Sequence, residues 1–325
     1  MNNPQAPGDG TSGAVAAGMS ATSSPRVAQR ASLPIGVFDS GVGGLTVARA
    51  IASRLPNESI IYFGDTLRCP YGPRPLDEVR LFARQISCWL ARQDVKLIVI
   101  ACNSATAAGL ETVQREFDVP VVGVIGPGAR AAVQATTSRR IGVIGTVATV
   151  ESGAYTRAIR SLDAGMTVFS AATPRFVEIV EQGLRLDRNL FEDIMAQASA
   201  IYIRPAFSEI ARDYLNPLKR CMIDTLVLGC THYPLLASLI QSVVGPSVRI
   251  ISSAEETARD VAEVLGRRGQ LAQDGHTAHY RFATTTTDPE EFVSLGSAIF
   301  LHPLEDLTLV SLEDLSAPLS EKECL

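Results

Sequence analysis

Two cysteines occupy similar settings. Residues 97–101 (LIVIA) run into Cys102-Asn103, and residues 225–229 (TLVLG) run into Cys230-Thr231. Each thiol follows a short apolar run that reads as a buried strand and precedes a segment of helical character. In open α/β sheets, ligands bind beyond the carboxyl ends of the strands. A helix N-terminus at that point offers unpaired N–H groups and partial positive charge, which attract an anion and favour a thiolate. If the two strand ends meet at one cleft, one thiol lies on each side of a bound ligand. One side chain can then take a proton from a carbon while its counterpart returns one to the opposite face. That is general acid–base catalysis arranged to invert a stereocentre.

Two neighbours suit this chemistry. Asp39 ends the run 33–38 and can accept or relay a proton from Cys102. His232, two residues beyond Cys230, titrates near neutrality and can do the same on the other side. Each has a plainer reading. A lone cysteine at a strand end is ordinarily an inert core filler. Asp39 is equally a helix N-cap or turn residue, and His232 a satisfied histidine near a helix start. The glycines after Asp39 also fit a tight strand-to-helix turn.

The elements that must position these residues follow a repeating pattern. Strands are expected at 33–38, 59–64, 97–101, 120–125, 140–145, 166–170, 225–229, 248–252 and 281–284. Helices are expected at 43–50, 77–92, after Asn103, at 152–161, 175–182, 188–212, 234–243 and 255–265, and from Asp288. This alternation predicts an α/β protein with mostly parallel sheets covered by helices on both faces. Two internal echoes occur in the same order. Ile35-Gly36-Val37 is repeated as Ile141-Gly142-Val143, and the run into Cys102 as the run into Cys230. They predict two related α/β halves.

Composition narrows the function further. The chain has 325 residues and a formal net charge of −5, with no basic run, so no nucleic-acid footprint is expected. No apolar stretch approaches a membrane span. Residues 1–32, rich in Ala, Ser, Gly and Pro, read as a disordered arm without the features of a secretory signal. The six cysteines, at 69, 88, 102, 221, 230 and 324, include no C-x-x-C pair, so no zinc ribbon or thioredoxin motif is present. They read as reduced thiols. The run Gly41-Val42-Gly43-Gly44 fails the dinucleotide fingerprint, because Thr46 stands at its last position. No Gly-Lys pair exists for a P-loop.

Four motifs carry a resemblance. They are Asp39-Ser40-Gly41-Val42-Gly43-Gly44-Leu45-Thr46, Gly64-Asp65 with Pro70-Tyr71-Gly72, Ala101-Cys102-Asn103-Ser104-Ala105-Thr106-Ala107, and Gly229-Cys230-Thr231-His232-Tyr233-Pro234-Leu235. In order and spacing they resemble the glutamate racemase family over residues 33–289. The cysteine motifs mark the wider aspartate/glutamate racemase superfamily. The first motif and the histidine of the last point to the glutamate branch.

The resemblance implies a cytoplasmic enzyme that needs no pyridoxal phosphate, nucleotide or metal. Cys102 would act on D-glutamate and Cys230 on L-glutamate, assisted by Asp39 and His232. Asp39, Ser40, Tyr71, Gly72, Asn103, Ser104, Thr231 and His232 would bind substrate, with Thr146 and Glu181 joining them. The product D-glutamate would supply peptidoglycan synthesis. A homodimer is an allowed assembly. The implied fold places the site between two domains, residues 33–127 plus 244–300 and residues 128–243, with a tail from 301 to 325.

Some positions depart from the family pattern: Ser104 for a common Thr, Gly126 for Glu, Thr173 for Cys, and Ser252 for Asp. None lies at a cysteine of the pair. The rival readings are an aspartate racemase of the same superfamily and a non-catalytic binder of small amino acids.

Overall fold

The computed structural model describes residues 30–186 and 205–316. Most of the expected arm, the greater part of the expected helix 188–212 and the end of the tail lie outside these residues.

Two parallel sheets organise the chain. The first has the order β10-β9-β2-β1-β3-β4, built from β1 (Ile35–Asp39), β2 (Ile60–Gly64), β3 (Leu97–Ile100), β4 (Val121–Gly123), β9 (Tyr280–Thr284) and β10 (Leu307–Leu309). The second has the order β6-β5-β7-β8, from β5 (Arg140–Gly145), β6 (Thr167–Ala172), β7 (Thr225–Gly229) and β8 (Arg249–Ser252). The run β2-β1-β3-β4 has the same neighbours as β6-β5-β7-β8, so the halves share one topology. The internal echoes fall on equivalent strands: β1 with β5, and β3 with β7. Cys102 and Cys230 therefore follow equivalent central strands.

Strands β1, β2, β3 and β7 are buried along their whole length. Helices cover both faces, which is why these runs are continuously apolar rather than alternating. On one face of the first sheet, Phe38, Ile98 and Ile100 pack under helices α2 (Leu76–Ala91) and α3 (Asn103–Glu116). On the other, Val37, Tyr62 and Val99 pack under α1 (Leu45–Arg54) and α11 (Pro289–Phe300). This second core continues without a break to Leu226 and Leu228 of β7, Leu215 of α8 (Pro205–Arg220) and Leu239 of α9 (Ala237–Val244). The opposite face of the second sheet packs Ile141, Val143 and Val227 under α4 (Ile125–Ala135) and α6 (Ala154–Leu162). Helix α10 (Ser253–Arg267) packs against both α1 and α4, bridging the halves.

Several expectations are corrected. Residues 249–252 were expected in the returning segment of the first domain, but they pair in register with Thr225–Leu228 of the second sheet. The expected tail contributes an edge strand, since Leu307–Leu309 pairs with Phe282–Thr284. The strand expected at 120–125 stops at Gly123, and α4 begins at Ile125, so the boundary expected at 127/128 falls inside that helix. The helix expected at 152–161 is α6, and a short helix that was not expected, α5 (Val147–Glu151), precedes it, with Gly153 at φ +63° between the two. A left-handed residue ends one helix and redirects the chain at little cost when it is glycine.

One buried ion pair anchors the base of the first sheet. Lys96 Nζ lies 2.5 Å from Glu58 Oε2 and donates to the carbonyls of Ala31 and Gln270 at 2.6 and 2.9 Å. Removing one partner of such a pair strands a buried charge. We expect Lys96→Met to lower the unfolding free energy in urea by about 3–5 kcal/mol. A loss below about 1 kcal/mol, the value of an exposed pair, would show that Glu58 is solvated.

Candidate active site

The strand ends of both halves converge on one small cavity of about 30 Å³. Cys102, Asn103 and Ser104 line it from the β3–α3 turn, and Cys230, Thr231 and His232 from the turn after β7. Ser40, Tyr71, Gly72 and Thr146 complete the predicted part of the wall. Two predicted residues stand outside it. Asp39 lies one layer behind, fully buried. Glu181 lines an adjoining, larger pocket of about 530 Å³ that shares Cys69, Pro70, Gly72, Thr146 and Val177 with the cavity. Cys69, Pro70 and Val177 were missed as cavity residues. Pro70 opens the quoted Pro70-Tyr71-Gly72 motif and Cys69 precedes it, whereas nothing local marks Val177.

Cys102 is the N-cap of α3, with extended backbone at φ −67° and ψ 123°. Its Sγ stands 4.0 Å from Ser40 Oγ. The expectation that the helix end makes this thiol acidic is overturned. Burial and then the Asp39 carboxylate push it well above its ordinary value, and the Ala105 N–H and Ser40 hydroxyl pull it only partly back. Desolvation outweighs one turn of helix. A thiolate formed there takes a proton more strongly, but less of it is present at neutral pH.

Asp39 Oδ2 accepts from the Gly44 N–H at 2.8 Å and from Thr231 Oγ1 at 3.5 Å. The turn-residue reading is thus correct for one oxygen. The other, Oδ1, is buried without a partner. Asp39 influences Cys102 through charge.

Cys230 Sγ lies 3.8 Å from His232 Nδ1. On the far side of the ring, Nε2 is 3.6 Å from Glu181 Oε1, a charge contact too long for a hydrogen bond. Burial opposes a charge on His232. The hydrogen bond to Cys230, the Glu181 contact and the negative charge of both outweigh it, raising the imidazole from its ordinary 6.5 to about 10. A helix was expected over 234–243, soon after Cys230. Instead a single 3₁₀ turn occupies Tyr233–Leu236 and α9 starts at Ala237. The charge beside Cys230 is therefore supplied by His232 more than by a helix end.

Three hydroxyls join the halves. Ser104 Oγ is 2.9 Å from Thr146 Oγ1 and 3.4 Å from Thr149 Oγ1, and Thr146 donates to Thr149 at 3.0 Å. Nearby, the Ala148 N–H donates to the Gly72 carbonyl at 2.8 Å. A Cβ on Gly72 would lie 2.8 Å from Thr146 Cβ, so only glycine allows this approach. The Tyr71 hydroxyl is committed to Asp65. Asp65 also accepts from Arg68 Nε at 2.7 Å and Thr285 Oγ1 at 3.0 Å, which pins the loop 66–72.

Two thiols that line one cavity from equivalent strand ends of a duplicated α/β fold are what a two-base racemase would need. Comparison with known proteins agrees. Residues 35–261 match the family described as Asp/Glu/Hydantoin racemase. A glutamate racemase of Exiguobacterium sibiricum is 47% identical over 277 residues, 85% of this chain and 95% of that protein. One from a Parafrankia species is 48% identical over 286 residues, covering 88% and 96%. The crystal structure of glutamate racemase isoform RacE1 from Bacillus anthracis superposes with a TM-score of 0.77 at 42% identity, over 86% of this chain and 98% of that one. A Francisella tularensis glutamate racemase in complex with D-glutamate gives 0.77 at 32% identity, over 87% and 99%. The chain belongs to the Asp/Glu/hydantoin racemase family, and within it to the glutamate racemases.

Proposed function

We propose that this enzyme interconverts L- and D-glutamate by proton transfer at Cα between Cys102 and Cys230, without a cofactor. One observation carries the reading: both thiols line a single small cavity, each from the equivalent strand end of its half. Cys102 takes the proton of D-glutamate and Cys230 that of L-glutamate. His232, held charged beside Cys230, supplies or receives the proton there. Asp39 raises the basicity of Cys102, and its unpaired Oδ1 suits a substrate ammonium group that reaches it.

A free thiol near pKa 8.5 is a far stronger acid than an amino acid Cα–H, so the developing carbanion must be stabilised. The donors on hand are the first-turn N–H groups of α3 and the Ser40 and Thr231 hydroxyls, while the buried, unpartnered Nδ2 of Asn103 holds the substrate carboxylate throughout. Fixed donors in a dry cavity stabilise a substrate carboxylate and its charge-delocalised form more than water does. Tyr71, with its hydroxyl turned to Asp65, contributes its ring and backbone to the wall. Ser104 and Thr146 add hydroxyls, and Glu181 acts through His232.

A space of about 30 Å³ holds a water or two and not glutamate. Admission therefore requires the Gly72 loop to part from Thr146 and Ala148, opening the cavity to the 530 Å³ pocket outside. A cytoplasmic location, a homodimer and supply of D-glutamate to peptidoglycan synthesis belong to the same reading.

The purified enzyme, with nothing added, is expected to convert L-glutamate to D-glutamate in D₂O with deuterium entering at Cα, followed by chiral chromatography and proton NMR. Aspartate is expected to be left alone. Inversion without deuterium would remove the proton-transfer mechanism. Equal turnover of aspartate would remove the specificity.

A further inference from the structure

The Asn103 side chain raises a question that the cysteines do not answer. An amide can turn either its oxygen or its nitrogen to a neighbour, and the two choices present opposite chemistry to a carboxylate. Asn103 Oδ1 accepts from the Tyr155 hydroxyl at 2.8 Å, and its Nδ2 is buried without a partner. Tyr155 belongs to α6 on the second sheet, whereas Asn103 opens α3 on the first.

Tyr155 itself has little freedom. It is 2% exposed, and its ring lies so close to Gly229 that a Cβ there would meet Cε2 at 3.1 Å. A Cβ on Gly128 would lie 3.3 Å from its hydroxyl oxygen. The Ser253 side chain, at the start of α10, also lies beside the hydroxyl. Burial holds the phenol well above its ordinary pKa, so the group keeps its single proton. That proton goes to Asn103 Oδ1.

We propose that Tyr155 is a positioning residue for the racemisation: its hydroxyl locks the Asn103 amide with the NH₂ toward the cavity, as a donor for the substrate carboxylate. The same side chain touches the residue after Cys102 and the residue before Cys230. It thus ties together the two turns that carry the thiols. This inference rests on the proposed role of Asn103 in holding glutamate.

The test is a double-mutant cycle read in KM and kcat for both enantiomers. Tyr155→Phe keeps the ring on Gly229 and removes only the hydroxyl. It is expected to raise KM roughly tenfold while kcat changes less than about threefold, the signature of lost binding common to ground and transition states. In an Asn103→Ala background the same change is expected to alter KM less than about twofold, because the two residues act in series. An equal loss in both backgrounds, or none with Asn103 intact, overturns the positioning role and leaves the two-thiol reaction standing. An Asn103→Ala enzyme with unchanged KM overturns the substrate role of Asn103, and this inference with it.

Discussion

Cys102→Ser and Cys230→Ser should each lower racemisation by about a thousandfold, within the usual range for a positioned acid or base, while the fold survives. Both sulfurs are buried at 6% exposure in a cavity with room to spare for the smaller oxygen, so the melting temperature should move by only a few degrees. A serine hydroxyl is far less acidic than a thiol and cannot supply the base. Because the two substrates are mirror images, their equilibrium constant in solution is one. Each substitution must therefore depress kcat/KM equally in both directions, whichever face it serves. What separates the two thiols is isotope exchange without inversion. With Cys230→Ser, the base for D-glutamate remains, and the α-proton of D-glutamate should exchange into D₂O faster than that of L-glutamate. Cys102→Ser should reverse the preference. A variant that keeps a tenth of wild-type turnover would mean that another group moves the proton.

Much of this site is written in short stretches of chain. The runs ending in Cys102 and Cys230 are apolar on both faces because both faces are covered, and a thiol after such a run must sit at a strand end. The echo between them marks a real duplication of strand order. What could not be read depends on distant parts of the chain. Residues 249–252 announce a strand but not its sheet, which is decided by pairing with β7. Leu307–Leu309 is a short, largely exposed edge, without the burial pattern that identifies a strand. Helix α4 opens with Ile125-Gly126-Pro127-Gly128, which looks like a turn, although proline in a first helical turn leaves no intrahelical donor missing. The acidity expected for Cys102 failed for a related reason. A helix end is a local feature, whereas the desolvation that outweighs it comes from the whole cavity wall. Tyr155 lies in no motif, and its importance is visible only once α6 is seen against the β3–α3 turn.

Gly43→Ala should cripple the enzyme through a residue that never touches substrate. Gly43 lies in the turn after β1, against the second half. A methyl there would sit 2.6 Å from Nδ1 and Cε1 of His232 and from Oγ1 of Thr231, well inside contact distance. None of these atoms belongs to a long flexible chain. His232 is buried and faces Cys230 on one side and Glu181 on the other. Thr231 is held by its own carbonyl, which accepts from Thr46 Oγ1 at 3.1 Å. The ring must therefore move by the better part of an ångström, away from the thiol it serves. Misplacement of that size costs about a hundredfold in kcat, and the overpacking costs about 1–3 kcal/mol of stability. A second readout comes from pH. In the wild-type enzyme His232 holds its proton up to about 10, so activity that needs the imidazolium persists to that pH and is lost above it. The contribution to stability follows the same sign. It is complete below about 6.5, the ordinary value, and is lost as pH rises to 10. In Gly43→Ala the alkaline limb should move down toward the ordinary value as the Cys230 contact lengthens. Gly266→Ala is the control, since its nearest foreign atom would be 3.8 Å away on Leu271, and it should leave both profiles unchanged. If Gly43→Ala retains wild-type kcat with its alkaline limb in place, His232 does not depend on this contact.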